Sequence, residues 1–224
     1  DNANIVFNTA TATFNALGAA ADDGITVDVD ITTDTAGMVL NGDFDDTADT
    51  NDDIQFNAGR VLTSAGIIKL DATTGKIDGA GALTLDATTG ITINDDLHTV
   101  GTLIMKTSDG PIDVTNAAIT TDDATITFTA GDAGANNGTI SIGAGGVISN
   151  DITGATITLD AADGVALGGD VDAGTSTVSI NGDTGDADTA GAITWTSGTV
   201  TGSTVTLKAA TGIGAVTSTT SLSA

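Results

Sequence analysis

The sequence contains no cysteine, no tyrosine and no glutamate, and only one proline, one tryptophan and five phenylalanines. The absence of cysteine excludes a disulfide framework and thiol chemistry. Because aromatic residues make up only 3% of the chain, a core must be built from isoleucine, valine, leucine and alanine. No apolar run approaches the roughly twenty residues of a membrane-spanning helix, so we expect no direct membrane insertion.

Basic residues are also scarce, and this restricts the partners. Five lysines and arginines face 30 acidic residues, for a formal net charge of −25. Such a chain cannot neutralise a phosphate backbone, so nucleic acid is excluded as a partner, as is an anionic membrane surface. Every acidic residue is aspartate, which bonds to nearby backbone in turns, whereas glutamate favours helices. The acidic composition therefore serves turn formation, and it favours solubility and divalent cations.

The hexapeptide LDATTG occurs twice, at Leu70–Gly75 and Leu85–Gly90. Each copy lies between short runs in which apolar and polar residues alternate. Alternation with period two, interrupted by Asp, Thr and Gly, indicates short, half-buried strands joined by tight turns. Self-similarity at this spacing, in a chain with few helix signals, predicts a β-solenoid.

Related phrases of strand, small polar turn and glycine recur farther along the chain. They are Ile104–Ile112, Ile126–Gly131, Ile140–Gly145, Ile157–Gly164, Val178–Gly182 and Val205–Gly212. The predicted fold class is all-β, a right-handed parallel β-helix of roughly ten irregular coils of about 20 residues. We expect a single domain over 1–224, with irregular first coils and an acidic loop in 1–59 and the clearest repeats in 60–216.

Three phrases carry a family resemblance: ALTLDATTG at Ala82–Gly90, ITLDAADG at Ile157–Gly164 and TVTLKAATGIG at Thr204–Gly214. They resemble the repeats of filamentous-haemagglutinin-type adhesins, autotransporter passenger domains and bacterial β-strand-repeat surface proteins. The resemblance implies a right-handed parallel β-helix on an exported bacterial protein, at the cell surface or in an extracellular fibre. Solenoid ends normally need capping elements and none is visible, so we expect a segment of a longer exported protein. No amino-terminal secretion domain, carboxy-terminal translocator barrel or cell-wall anchor is visible, which leaves the export route open.

Three acidic or glycine-rich loops, 43–53, 131–138 and 181–191, are candidate calcium sites. Calcium takes about six to eight oxygen ligands, which closely spaced aspartates can supply. The candidate ligands are Asp43, Asp45, Asp46, Asp49, Asp183, Asp186 and Asp188. Neither aspartate group matches an EF-hand loop or a calcium-roll repeat, and the alternative is that the loops are simply solvated. We expect no required cofactor, with Ca²⁺ as the one candidate.

A polysaccharide-degrading enzyme is the least favoured use of this fold. Hydrolysis needs two carboxylates at a set separation. The candidate pairs are Asp52-Asp53, Asp95-Asp96 and Asp122-Asp123. All three lie at predicted turns, and with one histidine and one arginine the chain has few parts for an acid–base site. We therefore expect no enzyme and no catalytic residues, with His98 at the surface or in a turn and Trp195 in core or edge packing.

Ice binding is a further alternative, because Thr-x-Thr pairs on a flat β-helix face can order water. The pattern occurs at Thr11–Thr13, Thr125–Thr127 and Thr204–Thr206. Lysines and aspartates interrupt it elsewhere, and threonine is also an ordinary exposed strand residue.

The function that these observations favour is structural. We expect an extracellular, cell-surface β-solenoid that is a subunit or segment of a fibre or adhesin and self-assembles end to end through open strand edges. The expected partners are further copies of the chain, joined end to end or laterally, and glycans or proteins of host or neighbouring cells. The acidic surface should keep rods apart laterally unless divalent cations bridge them.

Overall fold

The chain winds into a parallel β-helix in a computed structural model that describes residues 3–48, 50–131, 137–150, 154–184, 190–215 and 221–223. The described residues form 28 strands and no helix. Every third strand belongs to the same sheet, and all neighbouring strands are parallel. Each coil therefore contributes one strand to each of three faces, which confirms the predicted fold class.

Sheet A has ten strands, and sheets B and C have nine each. Sheet A consists of β1 (Ile5–Phe7), β4 (Ile25–Val27), β7 (Ile54–Phe56), β10 (Ile77–Gly79), β13 (Leu97–Thr99), β16 (Ala118–Thr121), β19 (Val147–Asn150), β22 (Asp170–Asp172), β25 (Thr199–Thr201) and β28 (Ser221–Ser223). Sheet B consists of β2 (Ala12–Phe14), β5 (Ile31–Thr33), β8 (Arg60–Ser64), β11 (Leu83–Ala87), β14 (Leu103–Thr107), β17 (Ile126–Ala130), β20 (Ile157–Ala161), β23 (Thr177–Asn181) and β26 (Thr204–Lys208). Sheet C consists of β3 (Leu17–Ala20), β6 (Met38–Asn41), β9 (Ile67–Asp71), β12 (Gly90–Ile93), β15 (Ile112–Val114), β18 (Thr139–Ile142), β21 (Gly164–Leu167), β24 (Ala192–Trp195) and β27 (Gly212–Ala215).

The number of residues per coil varies because the corners differ in length. Ile5 pairs with Ile25, a step of 20 residues, and Ile25 pairs with Ile54, a step of 29. The longer step contains the acidic loop, residues 42–53, which joins sheet C to sheet A. The predicted length of about 20 residues therefore fits the shortest coils, and corner insertions lengthen others.

Inward-facing side chains of successive coils stack into columns that form the core. The central column of sheet B contains Ile31, Leu62, Leu85, Met105, Phe128, Leu159 and Ile180. All of these residues are fully buried. Because parallel strands lie only ~4.8 Å apart, each side chain packs on its equivalents above and below, and the apolar core is continuous along the rod.

Where a strand enters a corner, the inward residue is often polar. Thr99 donates a hydrogen bond through Oγ1 to the carbonyl oxygen of Gly101 at 2.8 Å, and Thr121 donates likewise to Ala124 at 2.7 Å. Both threonine side chains are buried. These bonds satisfy carbonyl groups that the corner removes from the sheet ladder.

The two LDATTG copies are not structurally equivalent. The first copy ends β9, and its last residues form the corner between sheets C and A, where the Gly75 N–H bonds to the Ala72 carbonyl at 2.7 Å. The second copy ends β11 and forms the corner between sheets B and C. Leu85 stacks on Leu62 and Met105 rather than on Leu70. In the second copy, the Thr88 and Thr89 N–H groups instead bond to the Ser64 and Gly66 carbonyls of the preceding coil. The hexapeptide therefore marks two corners with different hydrogen bonds, not equivalent positions of successive coils.

The predicted phrase Ile140–Gly145 begins in β18 of sheet C, where Ile140 pairs with Ile112 and Val165. The second LDATTG copy and the other later phrases begin in sheet B and stack there. They belong to β11, β14, β17, β20, β23 and β26, whose register is unbroken. Several end in a glycine at the corner into sheet C, and Gly110 illustrates the reason. A Cβ at Gly110 would lie 2.0 Å from the carbonyl oxygen of Thr89 in the coil below. Only glycine allows the two backbones to approach so closely.

Replacing Phe128 by alanine should destabilise the rod because it opens a cavity in the central column of sheet B. We expect the free energy of unfolding to fall by about 3–5 kcal/mol, measured by urea denaturation. The matched control is Thr127→Ala in the same strand, whose side chain faces outward and should change stability by about 0.5 kcal/mol or less. Equal effects of the two substitutions would contradict the assignment of inward and outward faces.

Candidate functional site

Aspartate side chains close the corners by accepting backbone N–H groups from neighbouring coils. Among the described residues, five reach the following coil: Asp30 to Val61 (2.9 Å), Asp43 to Thr74 (2.7 Å), Asp53 to Lys76 (3.0 Å), Asp96 to Ala118 (2.8 Å) and Asp170 to Thr199 (2.7 Å). Two others bond to the preceding coil: Asp95 accepts the Ala72 N–H at 2.7 Å, and Asp163 accepts the Gly138 N–H at 2.8 Å. The short aspartate side chain holds its carboxylate next to its own backbone, where it can continue the ladder through a turn.

The acidic loop 42–53 separates the predicted ligand Asp43 from the predicted ligands Asp45 and Asp46. Asp43 is fully buried, whereas Asp45 and Asp46 are exposed. The Asp45 carboxylate accepts the N–H of Thr47 within its own loop at 3.0 Å. Asp49 lies outside the described residues. Within the described part of the chain, no three histidine, cysteine, aspartate or glutamate side chains form a group that could hold a metal ion.

The other two candidate calcium loops lie largely outside the described residues. Asp186 and Asp188 are in the undescribed segment 185–189, and 132–136 is undescribed in the glycine-rich loop. Asp183 is half-buried, and its N–H donates to Oδ1 of Asn181 at 3.3 Å. Calcium binding by these loops stays a prediction.

The Asp pairs lie at corners, as predicted, and they bond to backbone or to neighbouring side chains. An open groove at one corner is lined by Asp71, Asn94, Asp95 and Asn116, among others. Burial raises the pKa of Asp71, but the bonds from Lys69 (2.8 Å) and Asn94 (2.9 Å) outweigh it and leave that pKa below its usual value. Burial and the charge of Asp71 raise the pKa of Asp95, although Asp95 accepts the Ala72 N–H. Both carboxylates therefore contribute to holding this corner together.

His98, the one histidine of the chain, links three coils on the outer face of sheet A. Its Nδ1 lies 3.1 Å from Oδ1 of Asp78, and its Nε2 lies 3.0 Å from Oδ1 of Asp122. Lys76 Nζ also bonds to Asp78, at 2.6 Å. The sequence-based expectation of a surface histidine is correct, but the two aspartates were missed because they lie 20 residues before and 24 after it, and the coil register alone brings them together.

The pKa values in this cluster shift in opposite directions. The hydrogen bond to Asp122, followed by that to Asp78, raises the pKa of His98, although partial burial opposes the shift. Burial raises the pKa of Asp78, but hydrogen bonds from Lys76 and His98 outweigh it and lower that pKa below its usual value. Both shifts favour the charged forms, so the cluster is an ion-pair chain across successive coils.

Trp195 lies in the core, as expected, and not on a sugar-binding face. It is only 4% exposed, and it continues the sheet C column from Leu167.

Arg60 donates to the carbonyl oxygens of Val27 and Gly59 at 3.4 and 2.8 Å.

On the described strands of sheet B, the ladders of outward threonines are interrupted. In one row, Thr13, Thr32 and Thr63 occupy successive rungs, but Asp86 and Lys106 occupy the next two. The second row contains, in order, Val61, Thr84, Ile104, Thr127, Thr158, Ser179 and Thr206. Because water ordering requires the same group on nearly every rung, this face gives less support to ice binding than to an ordinary solvated surface.

Removing a corner aspartate should loosen the contact between two coils. We expect Asp96→Ala to lower the free energy of unfolding by about 1 kcal/mol, because the Ala118 N–H loses its charged acceptor. Asp45→Ala is the control: it also removes one negative charge, but its bond stays within a single loop, and we expect about 0.5 kcal/mol or less. Urea denaturation of both variants measures the difference; an equal loss would contradict the inter-coil role of Asp96.

The His98 cluster should make stability depend on pH in a defined window. Folding raises the pKa of His98, so its contribution is complete below its ordinary value of 6.5 and is lost as the pH rises through the raised value. The Asp78 contribution is present above the ordinary value of 3.8 and is lost as the pH falls through the lowered value. The cluster is therefore most stabilising between these two values.

Between about pH 5.5 and 8.5, we expect wild type to lose about 0.2–1 kcal/mol relative to His98→Gln, which is the range for exposed ion pairs. The comparison is selective because His98 is the one titratable group that the substitution removes, and every other titratable group is present in both chains. Denaturant unfolding at the two pH values gives the measurement. A parallel pH dependence in the two proteins would rule out the ion-pair chain.

Comparisons of the chain with protein-family models, curated proteins and solved structures found no match. The resemblance to filamentous-haemagglutinin-type repeats therefore stays a prediction from the sequence. In the described part of the chain, no helix could span a membrane. Function has to be argued from the geometry of the solenoid and its corners.

Proposed function

We propose that the protein is a non-catalytic structural element, a stiff segment or subunit of an extracellular fibre or adhesin at the cell surface. The observation that carries this proposal is the unbroken parallel ladder on all three faces, from β1 to β28. Cell-surface location is supported by the repeat phrases, the lack of cysteine and the acidic composition.

The mechanical argument follows from the stacking. Each internal coil bonds to both neighbours through sheets A, B and C, and its inward side chains pack on theirs. In such a solenoid, stability is approximately a sum of terms between adjacent coils, so length can grow without a larger core. Bending the rod would require stretching one ladder and compressing the others, which explains how a narrow protein can act as a rigid spacer.

The two ends of the described solenoid are suited to pairing with further coils. Ile5, Phe7, Phe14 and Leu17 in the first coil are only partly buried, and the Phe7 and Phe14 rings pack edge to face with centroids 6.3 Å apart. The edges of parallel sheets have unpaired N–H and carbonyl groups that another strand can complete. A second copy stacked head to tail would continue all three ladders, and such a contact propagates into a filament.

The net charge of −25 should prevent lateral association of these rods. Partners other than copies of the chain would be glycans or proteins of host or neighbouring cells, bound on the outer faces. Divalent cations would reduce the repulsion between neighbouring rods.

Negative-stain electron microscopy, with and without millimolar Ca²⁺, tests the proposal. We expect filaments one solenoid wide. The double substitution Phe7→Asp with Phe14→Asp should shorten them about three-fold, because a loss of about 1.4 kcal/mol per contact lowers the association constant ten-fold and the mean filament length varies with about the square root of that constant.

Phe44→Asp is the matched control, because Phe44 is 66% exposed on the acidic loop and lies away from the first coil's edge. It should leave filament length unchanged. Discrete rods of single-molecule length under every condition would overturn self-assembly and restrict the protein to a stalk segment. Filaments insensitive to the Phe7 and Phe14 substitutions would place the contact elsewhere and contradict end-to-end stacking.

A further inference from the structure

One oxygen of Asp43 is buried without a partner. The Asp43 side chain is 0% exposed, and its Oδ2 accepts the Thr74 N–H at 2.7 Å. Its Oδ1 is buried and accepts no hydrogen bond from any described residue. A buried carboxylate oxygen in that state is costly, because it has lost water and gained nothing in exchange.

A second buried carboxylate lies at the same place. Asp52 is 4% exposed, and its Oδ2 accepts a hydrogen bond from the Thr74 hydroxyl at 3.0 Å. The two carboxylates therefore bond to the same residue, Thr74: Asp43 accepts its backbone N–H and Asp52 accepts its hydroxyl hydrogen. Asp52 can approach because Gly75 follows: a Cβ there would lie 2.4 Å from the Asp52 carbonyl oxygen.

The acidic loop is thus folded back onto the next coil at this point. Asp43 and Asp52 stand near its two ends, and both contact the corner 72–75 of the coil above. The Gly42 N–H bonds to the Asp71 carbonyl at 2.9 Å, and the Phe44 N–H bonds to the Ala21 carbonyl of the coil below, also at 2.9 Å. The backbone on both sides of Asp43 is therefore held by neighbouring coils.

We propose that Asp43 and Asp52, with the Thr74 hydroxyl, bind a hard divalent cation, which fastens the acidic loop to the rod. The buried Asp43 oxygen without a hydrogen-bond partner is available as a ligand, and oxygen donors of this kind select Ca²⁺ or Mg²⁺. Ca²⁺ suits the site better, because it accepts irregular coordination completed by carbonyl oxygens and water, whereas Mg²⁺ requires a near-ideal octahedron.

This ligand set differs from the one predicted by sequence. Acidic density in the loop points to Asp45, Asp46 and Asp49 alongside Asp43. In the structure Asp45 and Asp46 face solvent, and the partner of Asp43 is Asp52, nine residues farther along and outside the predicted set. The inference is independent of the proposed fibre role, because the site lies within one chain.

Calcium titration by isothermal calorimetry tests the site, starting from the chain freed of metal with a chelator. In about 0.15 M NaCl, diffuse attraction to the acidic surface is strongly screened. We expect one saturable binding event in wild type, with Mg²⁺ binding more weakly than Ca²⁺. Asp43→Asn and Asp52→Asn should each weaken the binding by about ten-fold or more.

Asp46→Asn is the matched control. It removes the same charge from the same loop but at an exposed position, and asparagine tolerates the φ of 55° found there. A second readout is amide hydrogen exchange at Thr74 and Gly75, which Ca²⁺ should slow in wild type and in Asp46→Asn but not in Asp43→Asn.

Two results would overturn the proposal. If all four chains titrate alike, calcium binds the acidic surface diffusely. If Asp43→Asn retains wild-type stability in chelator and calcium stabilises neither protein, Asp43 is a neutral, protonated carboxyl that asparagine mimics.

Discussion

Stacking one coil in register on the next is the constraint on which the rest of this structure depends. Short strands of three to five residues cannot satisfy their own backbone groups, so each relies on the strands above and below. That dependence requires inward residues of similar size at every rung, which the aliphatic columns supply. It also requires corners whose backbones approach closely, which explains the glycine at position 110, where a Cβ would strike the coil below.

Aspartate side chains accept backbone N–H groups that the sheets leave unpaired at the corners. A turn takes backbone N–H groups out of the sheet ladder, and Asp53, Asp96 and Asp170 return them to it from a neighbouring coil. The consequence is a strongly negative surface with few cations to offset it. His98 is placed where it compensates locally, between two aspartates of different coils. Charge and fold are therefore linked, because the residues that close the corners also give the rod its electrostatic character.

The acidic loop is a long corner that is held to the stacked coils by aspartates. It is the insertion that lengthens one coil to 29 residues, and it would be poorly held if its aspartates only faced water. Two of them instead turn inward and meet at Thr74. A cation bound there would make the attachment of this loop depend on the calcium concentration around the rod, while leaving the ladders unaffected. A rod with such a loop combines a rigid scaffold with one ion-dependent projection, an arrangement compatible with a surface fibre or adhesin segment.

The sequence by itself determined the all-β class, the parallel solenoid, the absence of a large aromatic core and the placement of aspartate pairs at turns, because these depend on local alternation and turn chemistry. It could not determine which segments stack: LDATTG at Leu70–Gly75 and Leu85–Gly90 lies at two different corners with different hydrogen bonds, so identical residues did not indicate equivalent positions. Nor could it show that His98 meets Asp78 and Asp122, or that Asp43 joins Asp52 rather than Asp45. Those contacts depend on the register of the coils. Because the corners vary in length, no fixed spacing along the chain predicts that register.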